Sequence, residues 1–144
     1  MLKVYCEANA MRRKLRALHR AGRIDVVHFP YDPDSHMRKV GVATPSGAQF
    51  CDLNLSFEEL PGRFHDYEVS TKHEAIVSLV GASNRRDALH VDSAYKHGCH
   101  CFFACDPHII DKAAELESLL GIKFLHPDHD WAEFLELFDM HERA

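Results

Sequence analysis

The change of hydrophobic period near the amino terminus constrains the fold more than any other feature. Residues 2–6 (LKVYC) form a short apolar run of strand-forming type, and residues 8–21 carry apolar positions at helical spacing. Gly22 then ends the helical pattern, and residues 24–29 (IDVVHF) form a second apolar run that stops at Pro30. Strand, helix and strand in this order predict a parallel crossover with helices covering a sheet.

Two further helices are predicted in the second half of the chain. Thr71 and Glu74 have the spacing of a capping box, and the apolar positions after them predict a helix over 72–80. Asn84 and Asp87 provide a similar start signal for the next helix. Both segments carry an apolar face, so we expect them to pack against the sheet.

The last part of the chain repeats the alternation of strand and helix. Residues 100–105 (HCFFAC) predict a buried strand, after which Asp106 and Pro107 have the form of an N-cap followed by proline at the first helical position. That helix is expected to run to about residue 120, and residues 122–125 (IKFL) predict a fourth strand. A final helix begins after Asp130, with four apolar side chains at core spacing: Trp131, Phe134, Leu135 and Phe138.

Residues 31–55 have a different composition. Loop-forming residues at 31–36 precede two strand-like runs at 39–44 and 48–55, which flank a Pro-Ser-Gly turn signal. We interpret 31–55 as an inserted β-hairpin. The whole chain, 1–144, is therefore predicted to be one α/β domain, a three-layer sandwich around a central, mainly parallel sheet.

Composition and charge favour a soluble, cytoplasmic protein. The chain has 46% hydrophobic residues and 17 Lys and Arg against 22 Asp and Glu, a net charge of −5, with no apolar stretch long enough for a membrane span. The first apolar run is short and arginines follow it, unlike a signal peptide. Of the five cysteines, three lie within seven residues (Cys99, Cys101 and Cys105), unlike the spaced framework of a disulfide-stapled domain, so we expect reduced thiols. Cys101 and Cys105 are expected in the core because they alternate onto one side of a strand, whereas zinc ligands usually come in pairs from turns.

Acidic side chains follow every predicted strand. In a parallel sheet the residues just past the strands converge on one edge, where ligands bind. These residues are Glu7, Asp32, Asp34, Asp106, Asp128 and Asp130. Clustered carboxylates repel one another unless a cation neutralises them, and their hard oxygen atoms favour Mg²⁺ or Mn²⁺. Taken singly, Asp106 and Asp87 also have a structural role as capping residues at helix starts.

Two stretches of the chain resemble PIN domains. Residues 4–10 (VYCEANA) are similar to the opening of that family, where a first strand runs into Asp-Thr-Asn before a helix. Asp87 and Ala88 resemble the Asp-Ala pair that opens a later helix of the family, and the strand ending at Asp106 resembles its Thr-x-Asp strand. The likeness covers about 1–29 and 85–138.

The resemblance implies an endonuclease of single-stranded RNA that uses Mg²⁺ or Mn²⁺, as in the toxins of toxin–antitoxin pairs and in RNA-processing factors. Glu7 matches the first family acid, Asp87 the third and Asp106 the fourth, so these are the predicted catalytic and metal-binding residues. Three residues are candidates for the second acid, Asp34 by its position past a strand and the others by lying on helices: Asp34, Glu58 and Glu74. The expected partners are RNA, an antitoxin-like protein and a second copy of the chain.

Two departures from the family pattern lower the expected activity. Glu7 stands where the family has Asp, and Ala8 lacks the hydroxyl usual at its position. A longer acidic arm predicts weak metal binding and slow cleavage, because metal sites tolerate little displacement of their ligands. The alternative is a PIN-like domain without hydrolytic activity that binds RNA or a protein.

A basic run lies directly after the first strand. The stretch from 12 to 23 contains six cations and no acid. Lys and Arg that neutralise phosphates supply much of the affinity for nucleic acid, so four arginines are predicted to contact RNA: Arg12, Arg13, Arg16 and Arg20. The alternative is a solvated helix face that binds nothing.

Overall fold

The computed structural model describes residues 1–27 and 69–143. The predicted hairpin at 31–55 lies outside these residues, as do Asp32, Asp34 and Glu58. Within the described parts the chain folds as an α/β structure around one sheet.

The sheet has four strands, and all of them are parallel. They are β1 (Leu2–Cys6), β2 (Ile24–Val27), β3 (Cys101–Phe103) and β4 (Lys123–Leu125), in the spatial order β2-β1-β3-β4. Val4 is paired with Val26 on one side and with Cys101 on the other, so β1 is a central strand. The predicted parallel crossover between the first two strands is confirmed.

Six α-helices occur in the described segments. They are α1 (Arg13–Arg20), α2 (His73–Val80), α3 (Arg85–Lys96), α4 (Pro107–Ile110), α5 (Ala113–Leu120) and α6 (Trp131–Arg143). Short 3₁₀ turns cover Ala8–Ala10 and Ala82–Asn84. None of the helices in these segments is long and apolar enough to cross a membrane.

Two helices predicted as continuous are each broken in two. Met11 and Arg12 have extended backbone, with ψ of 134° and 157°, so the helix predicted over 8–21 becomes a 3₁₀ turn followed by α1. Lys112, with φ of −108° and ψ of 15°, separates α4 from α5. In both cases the apolar period continues across the break, so spacing alone did not reveal it.

The strands alternate their side chains between two core layers, as expected of a sheet covered on both faces. Tyr5 and Phe102 belong to the layer with α2, α3, α4 and α5, where Val91 and Leu116 are buried. Val4 and Phe103 belong to the layer with α1 and α6, where Leu15 and Phe134 are buried. Helices on both faces are consistent with the predicted three-layer sandwich.

Gly22 ends α1 as the sequence predicted. Its φ is 72°, the left-handed region that glycine adopts without a steric penalty. The Gly22 N–H donates to the carbonyl of His19, and the Arg23 N–H donates to the carbonyl of Leu18, both at 3.0 Å. These two bonds form a Schellman motif, which reverses the chain into β2.

Two local predictions are wrong. The capping box of Thr71 and Glu74 does not form: the N-cap of α2 is Lys72, and no side chain caps it. Instead the hydroxyl of Ser70 accepts from the Lys72 N–H at 3.1 Å, and Ser70 is itself held by the buried carboxylate of Asp92. Leu135 is 41% exposed, because the rings of Trp131 and Phe134 already fill the face of α6 that packs on the sheet.

Candidate functional site

The strand order creates a crevice at the carboxyl ends of β1 and β3. From β1 the chain crosses to β2 on one side, and from β3 it crosses to β4 on the other side, so these two neighbouring strands form the point where the topology reverses. Ligands of open parallel sheets bind at this point. Glu7 immediately follows β1, and Asp106 follows β3 after two residues.

Asp106 is the N-cap of α4. Its Oδ1 accepts a hydrogen bond of 2.9 Å from the backbone N–H of His108, and Pro107 occupies the first helical position. This bond satisfies one of the orphan donors at the helix start, and the predicted capping role is confirmed. The capping bond fixes the orientation of the Asp106 carboxylate.

Asp87 lies in the first turn of α3 and interacts with Asp106 across the crevice. Burial raises the pKa of Asp87 above its usual range, and the charge of Asp106 and a hydrogen bond to it raise that pKa further. The positive charges of His108 and Arg86 oppose the shift. The raised pKa favours the protonated form of Asp87 beside Asp106.

Glu7 is at the same edge of the sheet, with only 8% of its surface exposed. Its backbone N–H donates to the carbonyl of Phe103 at 3.3 Å, which continues the pairing of β1 with β3 past the last strand residue. Within residues 1–27 and 69–143, no three His, Cys, Asp or Glu side chains group together in a way that could hold a metal ion. The structure brings Asp87 and Asp106 together, and Glu7 lies at the same edge of the sheet.

Of the three candidates for a second acid, only Glu74 is in a described segment. It lies in the first turn of α2 and is exposed. A carboxylate there favours the helix dipole.

Arg12 is bound within the protein by all five of its N–H groups. Nε and Nη2 donate to the two carboxylate oxygens of Asp128, each at 3.0 Å, and Nη1 donates to the carbonyls of Asn9 and Met11. Nη2 also lies 3.7 Å from Sγ of Cys105. The fork with Asp128 raises the pKa of Arg12 and lowers the pKa of Asp128. A phosphate contact by Arg12 would require breaking this arrangement.

The other predicted RNA-contacting arginines lie on α1. Arg13, Arg16 and Arg20 are exposed and follow one another at spacings of three and four residues, so they form one stripe on the helix. Among the described residues none of the three takes part in a salt bridge. Lys14 instead lies over the ring of Trp131, with Nζ 4.4 Å from the ring centroid.

The cysteines near β3 are core thiols, as predicted. Cys101 is fully buried, and Cys105 packs at the edge of the same core layer. Burial raises the pKa of Cys101 well above its usual value and raises that of Cys99 to about 12. Burial therefore keeps both thiols protonated at neutral pH.

Residues 126–130, which we call the histidine loop, form an arrangement that the sequence did not predict. Nδ1 of His126 accepts the backbone N–H groups of Asp128 and His129 at 3.1 and 3.3 Å, and Oδ2 of Asp130 accepts the N–H of His126 at 2.8 Å. The rings of His126 and His129 lie 4.2 Å apart. The opposite charges of Arg12 and Asp128, in the segments that follow β1 and β4, are a sequence signal for part of this arrangement.

The chain matches no family model, no curated protein and no solved structure. The carboxyl pair, the arginine stripe and the histidine loop are therefore the features on which a functional proposal rests.

Proposed function

We propose that the protein is a weakly active, metal-dependent endoribonuclease of single-stranded RNA with a PIN-like fold. The observation that carries the proposal is the pairing of Asp87 with Asp106 at the reversal point of the sheet. Two carboxyl groups held close in a partly buried crevice are costly to ionise together, and a divalent cation relieves that repulsion. Glu7, at the same edge, would contribute through the water shell of the ion.

The donor chemistry of the pair fits Mg²⁺ or Mn²⁺. Both ions prefer carboxylate oxygens and retain several waters, so two protein ligands suffice when substrate phosphate completes the shell. When bound, such an ion supplies an activated water and neutralises charge on the phosphate. Asp106 keeps Oδ1 on the N–H of His108, which fixes the orientation of its carboxylate. A bound ion would favour the ionised form of Asp87, whose pKa is raised by burial and by the charge of Asp106.

The arginine stripe of α1 would position the RNA. Arg13 is at the end of α1 nearest the carboxyl edge of the sheet, and Arg16 and Arg20 continue from it along the helix. At about 1.5 Å of rise per residue the stripe extends roughly 10 Å, enough for consecutive phosphates of an extended strand. Arg12 holds the loop after β4 instead of the substrate.

The second candidate function is a PIN-like module that binds RNA or an antitoxin-like protein, alone or as a homo-oligomer, without hydrolysis. The observation that favours it is the hydrogen bond between the side chains of Asp87 and Asp106, because a carboxyl group bonded to its neighbour is satisfied without a cation. For either function we propose a cytoplasmic location.

Calorimetric titration with Mn²⁺ tests the metal site. The wild type and the control Asp139→Asn, which removes an exposed carboxylate on α6, should bind with the same heat. Asp106→Asn should lose that heat, although asparagine retains the N-cap. Apparent affinity should rise with pH, because the ion competes with the proton held by Asp87. No heat from the wild type at millimolar Mn²⁺ would favour the binding module.

A cleavage time course on unstructured RNA tests the activity. We expect slow, Mn²⁺-dependent cleavage by the wild type and Asp139→Asn, with loss in Asp87→Asn, in Asp106→Asn and with chelator. Equal cleavage by every variant would reveal a contaminating nuclease. RNA binding without cleavage by the wild type under any divalent metal would establish the module.

A further inference from the structure

The histidine loop is a fixed platform rather than an irregular connection. Three backbone N–H groups of the loop donate to side chains of the loop itself, two to His126 and one to Asp130. The N–H of Asp130 also donates to the carbonyl of His126 at 3.0 Å. The ring of His126 therefore has its proton on Nε2, since Nδ1 is an acceptor, and the two backbone bonds fix the orientation of this ring.

The loop stands beside the carboxyl pair. It follows β4, which pairs with β3 through Phe103 and Leu125, so its start and the residues leading to Asp106 are about one strand spacing apart, roughly 4.8 Å. Arg12 joins the two directly: Nη2 contacts Asp128 in the loop and Cys105, the residue before Asp106. The histidine loop and the carboxyl pair therefore lie at the same edge of the sheet.

The exposed member of the ring pair is His129. Its ring lies 4.2 Å from that of half-buried His126, with an angle of 40° between the planes. One face of the His129 ring is supported by His126, so an approaching planar group meets a ring that is already held in place. Aromatic faces of this kind stack unpaired nucleobases with little dependence on sequence.

We propose that the histidine loop binds an unpaired nucleobase of the strand whose phosphate reaches Asp87 and Asp106. This inference rests on the proposed function, because it supplies the base-binding subsite of the same edge. His129 provides the stacking face, and His126 supports it and presents its Nε2–H. Arg12 is a positioning residue, since it acts on the subsite through Asp128.

Fluorescence anisotropy in chelator, where no cleavage occurs, tests the subsite. The probes are a short oligouridine, the deoxyuridine oligomer of equal length, and an abasic oligomer that retains the phosphates. The variants are His129→Ala, His129→Phe, which keeps a ring, and the control His141→Ala, whose ring lies against His100 at the opposite edge of the sheet.

We expect His129→Ala to weaken binding of both base-containing oligomers at least about fivefold, the low end of measured base stacking. The abasic oligomer should bind the wild type and His129→Ala equally, and His129→Phe and His141→Ala should bind like the wild type. Tighter binding of the ribose form identifies RNA as the source of the base.

Equal affinity of the wild type and His129→Ala for oligouridine would overturn the subsite. If Mn²⁺-dependent cleavage persists in that case, the nuclease proposal stands without it. If His129-dependent binding occurs but the wild type never cleaves, the subsite stands and the hydrolytic function fails. Failure of the wild type to bind any oligomer would overturn the subsite, and the cleavage time course would still decide the nuclease proposal.

Discussion

Acidification should destabilise this protein through His90, which is buried on α3. Only 5% of its surface is exposed, and its Nδ1 lies 2.9 Å from the hydroxyl of Tyr5 on β1. Tyr5 in turn stacks on Phe102, so the contact joins α3 to the middle of the sheet. Burial, with a smaller contribution from the charge of Arg86, lowers the pKa of His90 to about 3.

The sign of the effect follows from the two protonation states. In the unfolded chain the imidazole has a pKa near 6.5, so between about pH 6.5 and 3 the unfolded state binds a proton that the folded state does not. The free energy of unfolding is therefore intact above pH 6.5 and falls below it. With the folded pKa at about 3, the loss from His90 is about 2 kcal/mol at pH 5.

Urea unfolding of the wild type and His90→Gln at about pH 7.5 and pH 5 measures this loss. Glutamine retains a hydrogen-bonding group for the Tyr5 hydroxyl and does not titrate. The wild type should lose about 2 kcal/mol more than the variant between the two pH values. Equal losses in the two proteins would refute the assignment of a neutral, buried His90.

Three further predictions concern the carboxyl edge and the arginine stripe. Asp87→Asn should raise the melting temperature in calorimetry at about pH 8, because it removes the repulsion with Asp106 and supplies an amide donor. The expected rise is about 2–4 °C for each kcal/mol gained. An unchanged or lower melting temperature would contradict the pairing of the two carboxyl groups. Asp106→Ala should cost about 1 kcal/mol in urea unfolding through loss of the N-cap, whereas Asp106→Asn should cost little; equal costs would assign the loss to something other than the cap. Replacing Arg13, Arg16 and Arg20 together by Gln should weaken the salt dependence of single-strand binding. The slope of log affinity against log salt concentration should fall by up to about 2, at about 0.7 per lost phosphate contact. An unchanged slope would show that the stripe is a solvated face.

Local signals in the sequence predicted the framework of the fold. The apolar runs gave the four strands, the left-handed glycine gave the end of α1, and Asp106 with Pro107 gave the start of α4. Each of these features depends on residues within a few positions of one another. The parallel orientation of the strands was predictable for the same reason, because a helix between two strands permits few other connections.

Local sequence signals could not predict the contacts that define the site. Arg12 and Asp128 are 116 positions apart, and nothing near either residue distinguishes an ion-paired arginine from one free to bind phosphate. The Asp87 and Asp106 pairing required the packing of α3 over the sheet. The break before α1 was also unpredictable, because Arg12 stabilises the extended turn through the carbonyls of Asn9 and Met11.

The positions of the cysteines allow thiol labelling to detect separation of the strands of the sheet. Cys6 and Cys101 are buried on the two central strands, whereas Cys105 is half-buried at the carboxyl edge. An alkylating reagent can reach the first two only when the central strands separate, but it reaches Cys105 after a local movement of the edge. Labelling rates at these positions therefore distinguish global unfolding from fluctuations of the crevice in the unmodified protein.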